Sequence, residues 1–188
     1  MYGVAVHAYC LMTNDVHFLV TAEDPAAISN TMKVVGSQHA CYVNRLYRRT
    51  GTLWEGRHRS RLVDADNYLL ICQRYIELNP VRGQMVSHAS DYPWSAYGCN
   101  ALGDSSWVSP HPVFLLLARE TKQCCAAYLA LCDLAFNQET IQIIRTATHF
   151  SQPIGAEAFR QGIAQRFGLR RGYSSPGRPP AVANADSG

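Results

Sequence analysis

Between Arg57 and Val86 the chain changes its repeat, and this change constrains the fold more than any other feature. Residues 57–63 alternate Arg57, Arg59 and Arg61 with His58, Ser60 and Leu62. A period of two predicts a strand with one strongly cationic face. Asp64 then offers an N-cap, and Tyr68, Cys72, Tyr75 or Ile76, and Asn79 recur at helical spacing. Pro80 is expected to stop that helix. Tyr75 and Asn79 are four residues apart on one helix face, so a phenol and an amide oxygen can address the same spot. The residue before a proline is drawn away from helical geometry, which makes the pairing approximate.

Upstream, residues 4–12 and 16–21 are rich in apolar and aromatic side chains and read as two strands. Thr13, Asn14 and Asp15 supply a tight turn between them, giving a hairpin. Period-two alternation puts Asp15 and His17 on the same face of the second strand. Taken alone, His17 reads as a structural histidine. Asp24 and Pro25 form an N-cap and first-turn pair opening a helix to about Arg49. Its apolar stripe of Ile28, Met32, Val35, His39, Tyr42 or Val43, and Leu46 is expected to pack on the sheet, with Lys33, Arg45 and Arg48 outside it.

The net charge of +3 is small, but its distribution is uneven. Lys33, Arg45, Arg48, Arg49, Arg57, Arg59 and Arg61 fall in one stretch whose only acid is Glu55. Most of the cations in the chain are Arg, whose planar fork suits phosphate. A cationic bias running from a helix through a loop onto a strand reads as a footprint for a polyanion. In that loop Trp54 has two readings, a platform for an unpaired base or a core plug at the sheet edge.

At 188 residues the chain is long enough for one domain with a real core and a small appendage. No apolar run approaches the ~18 residues of a membrane helix, and Met1 to Val4 carries no charged lead-in to a signal peptide, so no membrane partner and a cytoplasmic location are expected. The seven cysteines are scattered without a CxxC pair, which predicts reduced and mostly buried thiols.

The strings GTLWEGRHRSRLVDADNYLLICQRYIELNPVR, YCLMTNDVHFLV and DYPWSAY together resemble the single-tyrosine HUH transposases, most closely the REP-associated tyrosine transposases, from about Tyr9 to Pro180. The resemblance implies an α+β, ferredoxin-like two-layer domain, an antiparallel sheet with helices on one face. It implies a DNA transposase that nicks and rejoins single-stranded hairpin DNA through a phosphotyrosine. Tyr75 then matches the nucleophile, and a divalent ion, Mg²⁺ or Mn²⁺, is held by His17, Asn79 and position 15. The family's first His is replaced there by Asp15. An oxygen ligand suits Mg²⁺, and a decayed copy that binds structured DNA without cutting it would carry the same change. Trp54, Lys33, Arg45, Arg48, Arg49, Arg57, Arg59, Arg61 and Arg82 are the candidate DNA contacts. A third reading is a structural domain whose cations are merely solvated.

A ferredoxin-like order needs a strand and helix before the hairpin, and none precedes residue 4. The expectation is an N-terminally truncated fold, or a start lying upstream. An unpaired sheet edge would favour a homodimer or aggregation. The expected organisation is a catalytic segment over 1–97, with the aromatics of 91–97 covering the sheet, a Gly-, Ser- and Asp-rich linker over 98–111, a helical extension over 112–173 and a disordered tail over 174–188. Helices are expected near 121–136, 138–149 and 155–168. Arg166, Arg170, Arg171 and Arg178 at the end make either a second DNA-contacting unit or a cap with no such role.

Overall fold

The computed structural model describes residues 3–168. The calls on Arg170, Arg171, Arg178 and the tail from Ser174 lie outside that range. An antiparallel hairpin of β1 (Val4–Leu11) and β2 (Val16–Ala22) is followed by α1 (Pro25–Leu46), α2 (Ala65–Glu77) and the single turn α3 (Asn79–Arg82). Then come α4 (Pro112–Leu115), α5 (Thr121–Asp133), α6 (Gln138–Phe150) and α7 (Glu157–Phe167). This is the expected α+β class: a small antiparallel sheet with helices, consistent with a ferredoxin-like transposase fold carrying C-terminal helices.

The hairpin forms where turn chemistry and alternation predict it. Its turn is closed by the Met12 N–H on the Asp15 carbonyl at 2.7 Å, and Cys10 pairs with His17 across the ladder. A bulge at His7 shifts the register between Val6 and Ala8. Bulges re-aim side chains, and here the buried His7 bonds the Ser109 carbonyl at 2.6 Å and the Thr21 hydroxyl at 2.8 Å.

The outer edge of β1 is not bare. Leu11 N–H donates to the Trp94 carbonyl, Ala96 N–H to Tyr9 and Ser109 N–H to Val6. The Tyr92 hydroxyl adds a bond to the Leu11 carbonyl at 2.6 Å. Residues 92–109 thus cover part of the expected unpaired edge at β1, satisfying backbone groups of Val6, Tyr9 and Leu11 within the chain.

Helix α2 lies across the hairpin and divides the interior. Leu69, Cys72 and Ile76 meet Ala8, Cys10 and Leu19 in one cluster, which also takes Ala96, Val108, Ile144, Ala147 and Ile154. A second cluster gathers Ala89, Tyr97, Ala101, Phe114, Cys124, Cys125 and Tyr128. Several of the cysteines are therefore buried free thiols, as expected.

Three expectations need correction. Residues 57–62 form no strand: a strand needs a ladder partner, and the one bridge in this stretch is Val63 with Ile154. Pro80 does not stop the helical path, because the chain breaks at Leu78 and restarts at Asn79, leaving Pro80 in a first turn whose N–H is not needed. Helix α1 begins as expected, its Ala26 N–H on the Asp24 carboxylate, but from Ala26 to Leu46 only Ala27 is buried, and Val35, Tyr42 and Leu46 are exposed. A helix of 22 residues is about 33 Å long, and a two-stranded sheet covers only part of it.

Candidate active site

Leu78 separates α2 from α3, and α3 adds one further turn beyond the end of α2. Arg82 thereby reaches Tyr75. Its guanidinium carbon lies 3.8 Å from the centroid of the Tyr75 ring. One of its terminal nitrogens donates to the Tyr75 carbonyl at 2.8 Å, the other to Asn79 Oδ1 at 2.6 Å. All three residues are half-buried. The fork of Arg82 thus ties together the phenol and the amide that sequence spacing had only put on one face.

His17 enters from β2. Its cross-strand partner Cys10 is fully buried. Burial is the main influence pulling the imidazole below its ordinary range; the charges of Arg82 and Arg61 act the same way, and the Asp15 carboxylate opposes them. Burial thus favours the neutral imidazole, the form in which it can ligate a metal. Asp15 itself is exposed beside the hairpin turn.

As a donor set for a divalent ion, Asp15, His17 and Asn79 offer a carboxylate, a neutral imidazole and an amide oxygen. Among the described residues no group of three or more His, Cys, Asp or Glu is arranged for a metal, so the set depends on Asn79. Its Oδ1 accepts one bond from Arg82 and has a second lone pair. The donor chemistry therefore fits a hard cation.

The basic residues divide into two groups. Lys33, Arg45, Arg48, Arg57 and Arg59 are exposed on α1 and the following loop. Arg49 donates to the Thr52 carbonyl at 3.1 Å and shapes that loop. Arg61 is turned inward: its Nε donates to the Ala147 carbonyl at 3.0 Å and a terminal nitrogen to the Thr148 carbonyl. It caps the C-terminus of α6, where a cation is favoured. Trp54 leans on α1, its indole N–H on the Gly36 carbonyl at 3.0 Å. A Cβ at Gly36 would stand 3.3 Å from that nitrogen, so a larger residue would press the indole away.

Sequence reasoning missed Glu77, two residues from Tyr75 and fully buried. It accepts from Asn100 Nδ2 at 2.6 Å and from the Tyr128 hydroxyl at 2.8 Å, and Asn100 also donates to the His7 carbonyl at 2.9 Å. Burial pushes the Glu77 carboxyl up to about 8, despite both hydrogen bonds. The available signal was a Glu amid apolar residues on the buried side of α2, one turn from Gln73.

Residues 1–79 match the family model described as Transposase IS200 like. Over this span the chain is similar to the IS200-like transposases. The match covers the hairpin, α1 and α2 and ends at Asn79. No curated protein and no solved structure matches the chain. Members of this transposase family process DNA and are in general metal-dependent. No helix among the described residues is long and apolar enough to cross a membrane.

Proposed function

We propose that the chain is an IS200-like transposase that cuts and rejoins single-stranded hairpin DNA with Tyr75 as nucleophile. The observation that carries the reading is the Arg82 fork over Tyr75 and Asn79, at the end of the segment matched to the family. The Tyr75 phenol gives up its proton as its oxygen attacks the scissile phosphorus, the bond to the 3′ oxygen breaks, and the proton lost balances the one the departing oxygen takes up. The product is a phosphotyrosine on the 5′ side, and the departing oxygen takes a proton to become a free 3′ hydroxyl. Rejoining is the reverse attack by a 3′ hydroxyl.

An ordinary phenol with a pKa near 10 is only about 0.1% phenolate at pH 7, so the reaction needs positive charge near the phosphate. Arg82 supplies a fixed guanidinium at the ring and holds Asn79. Asp15, His17 and Asn79 would hold Mg²⁺ or Mn²⁺, which when bound withdraws charge from a phosphate oxygen. Lys33, Arg45, Arg48, Arg49, Arg57 and Arg59 would bind flanking phosphates, positioning the strand without doing chemistry.

A second reading, binding of structured DNA without cleavage, is favoured by Asp15 at the position of the family's first His. End-labelled hairpin DNA incubated with the protein and Mg²⁺ or Mn²⁺ separates the two. A metal-dependent covalent adduct absent from Tyr75→Phe establishes the nuclease. Retained gel-shift binding with no adduct, on repeats taken from beside its own gene, establishes the binding protein.

A further inference from the structure

The aromatic stretch 92–97 is tied to β1, yet one of its rings is left in solvent. The Tyr92 hydroxyl bonds the Leu11 carbonyl, Tyr97 is buried, and the Trp94 carbonyl accepts from the Leu11 N–H at 2.8 Å. Trp94 itself is 62% exposed. Further along, Val108 is buried and the Ser109 N–H donates to the Val6 carbonyl at 2.8 Å, which pins the backbone after Trp107 to the same strand. Trp107 is also 62% exposed. Its indole lies on the Tyr9 ring, with centroids 5.0 Å apart and planes within 17°.

Trp carries one of the largest apolar surfaces of any side chain, and two of them left in water on anchored backbone mark a surface that meets a partner. The stack on Tyr9 selects the partner's shape. With one face of the indole covered by a near-parallel phenol, the exposure of Trp107 lies largely on the opposite face, a flat π-surface in a fixed orientation. A planar base continues such a column with full overlap. The two anchors, Tyr9 under Trp107 and Leu11 at Trp94, are two residues apart on β1 and so about 7 Å apart along the strand. Leu11 pairs with Val16, between Asp15 and His17 in the chain, so the Trp94 end adjoins the candidate site. Both tryptophans lie beyond the residues matched to the family.

We propose that Trp107 and Trp94 form a stacking platform for unpaired bases of single-stranded DNA, beside the site of Tyr75. The inference rests on the DNA-processing reading above and adds where the unpaired bases lie.

Its test is fluorescence anisotropy of a labelled hairpin oligonucleotide with a single-stranded flank, over a salt series, for wild type, Trp107→Ala, Trp107→Phe and Trp94→Ala. Each alanine variant is expected to bind roughly five- to 150-fold more weakly, the range for loss of one stacked base. The slope of log affinity against log salt stays at the wild-type value, because no phosphate contact is lost. Trp107→Phe keeps a ring and most of the affinity, and melting temperatures stay close to wild type because both indoles are exposed. A blunt duplex, which has no unpaired base, binds wild type and Trp107→Ala alike. Wild-type affinity for the flanked hairpin in both alanine variants, or an equal loss on the duplex, overturns the inference, and the proposed function stands if the Tyr75 adduct still forms. Dissociation of a dimer by these substitutions, seen by sedimentation without DNA, also overturns it and assigns the face to a second copy. Wild type that does not bind single-stranded DNA overturns both readings.

Discussion

Arg82 and Tyr75 are seven residues apart and stacked, guanidinium on phenol at 3.8 Å. The contact exists because α2 breaks at Leu78 and α3 supplies one further turn. It joins a cation–π contact to two hydrogen bonds, to the Tyr75 carbonyl and to Asn79 Oδ1. Both the candidate nucleophile and the candidate ligand are thus held by one side chain.

Arg82→Lys should therefore not be conservative. An ammonium cannot span the carbonyl and the amide together. Loss of hydrogen bonds to a charged group costs about 1.5–3 kcal/mol, and the ring contact adds about 0.5–1 kcal/mol. Urea unfolding should show a lower midpoint with an unchanged slope. An unaltered midpoint would mean that the fork is not made in solution.

Tyr75→Phe removes the oxygen and keeps the ring under Arg82. The expected result is loss of the covalent adduct with DNA, with hairpin binding and thermal stability close to wild type. An adduct that persists in this variant would assign the nucleophile elsewhere.

Removal of either outer ligand should weaken metal binding. Asp15→Ala and His17→Ala are each expected to reduce Mn²⁺ affinity at least about tenfold, read by electron paramagnetic resonance without DNA, as loss of one donor from a small site does. Addition of EDTA should abolish the adduct and leave salt-dependent binding intact. Wild-type Mn²⁺ affinity in both variants would remove them from the site.

Glu77 makes stability depend on pH. Its carboxyl is raised from the ordinary 4.5 to about 8 by burial, so the folded state holds a proton that the unfolded state releases. For a raised carboxyl the stabilisation is full below about 4.5 and is lost as pH rises toward 8. The span is on the order of several kcal/mol. Melting temperature should fall across this window, and Glu77→Gln, which keeps an amide able to accept from Tyr128, should flatten the fall. An identical pH profile in the variant would mean that Glu77 is charged in the folded protein.

Arg59→Ala and Arg61→Ala, two positions apart in an alternating run, should separate cleanly. Arg59 is exposed, and its loss is expected to lower the salt slope of DNA binding with little change in melting temperature. Arg61 bonds the carbonyls of Ala147 and Thr148, and its loss should destabilise the fold by about 1–3 kcal/mol, seen by urea unfolding. The reverse pattern would mean that Arg61 faces DNA.

Local features were legible in the sequence because they depend on neighbours a few residues away. The turn at Thr13–Asp15 between alternating apolar runs specified the hairpin, Asp24 with Pro25 specified the start of α1, and the recurrence of Tyr68, Cys72 and Ile76 specified α2. The spacing of Tyr75 and Asn79 was likewise visible, as was the run of cations. What only the tertiary structure decided are the pairings over long separations. Arg61 meets carbonyls 86 and 87 residues onward, and Glu77 meets Asn100 and Tyr128. The Arg57–Leu62 alternation failed to become a strand because a period of two records which side a residue faces, not whether a partner strand is there to bond it. An arginine in the sequence carries its charge openly, but whether that charge reaches solvent, a helix end or a phenol is settled by packing.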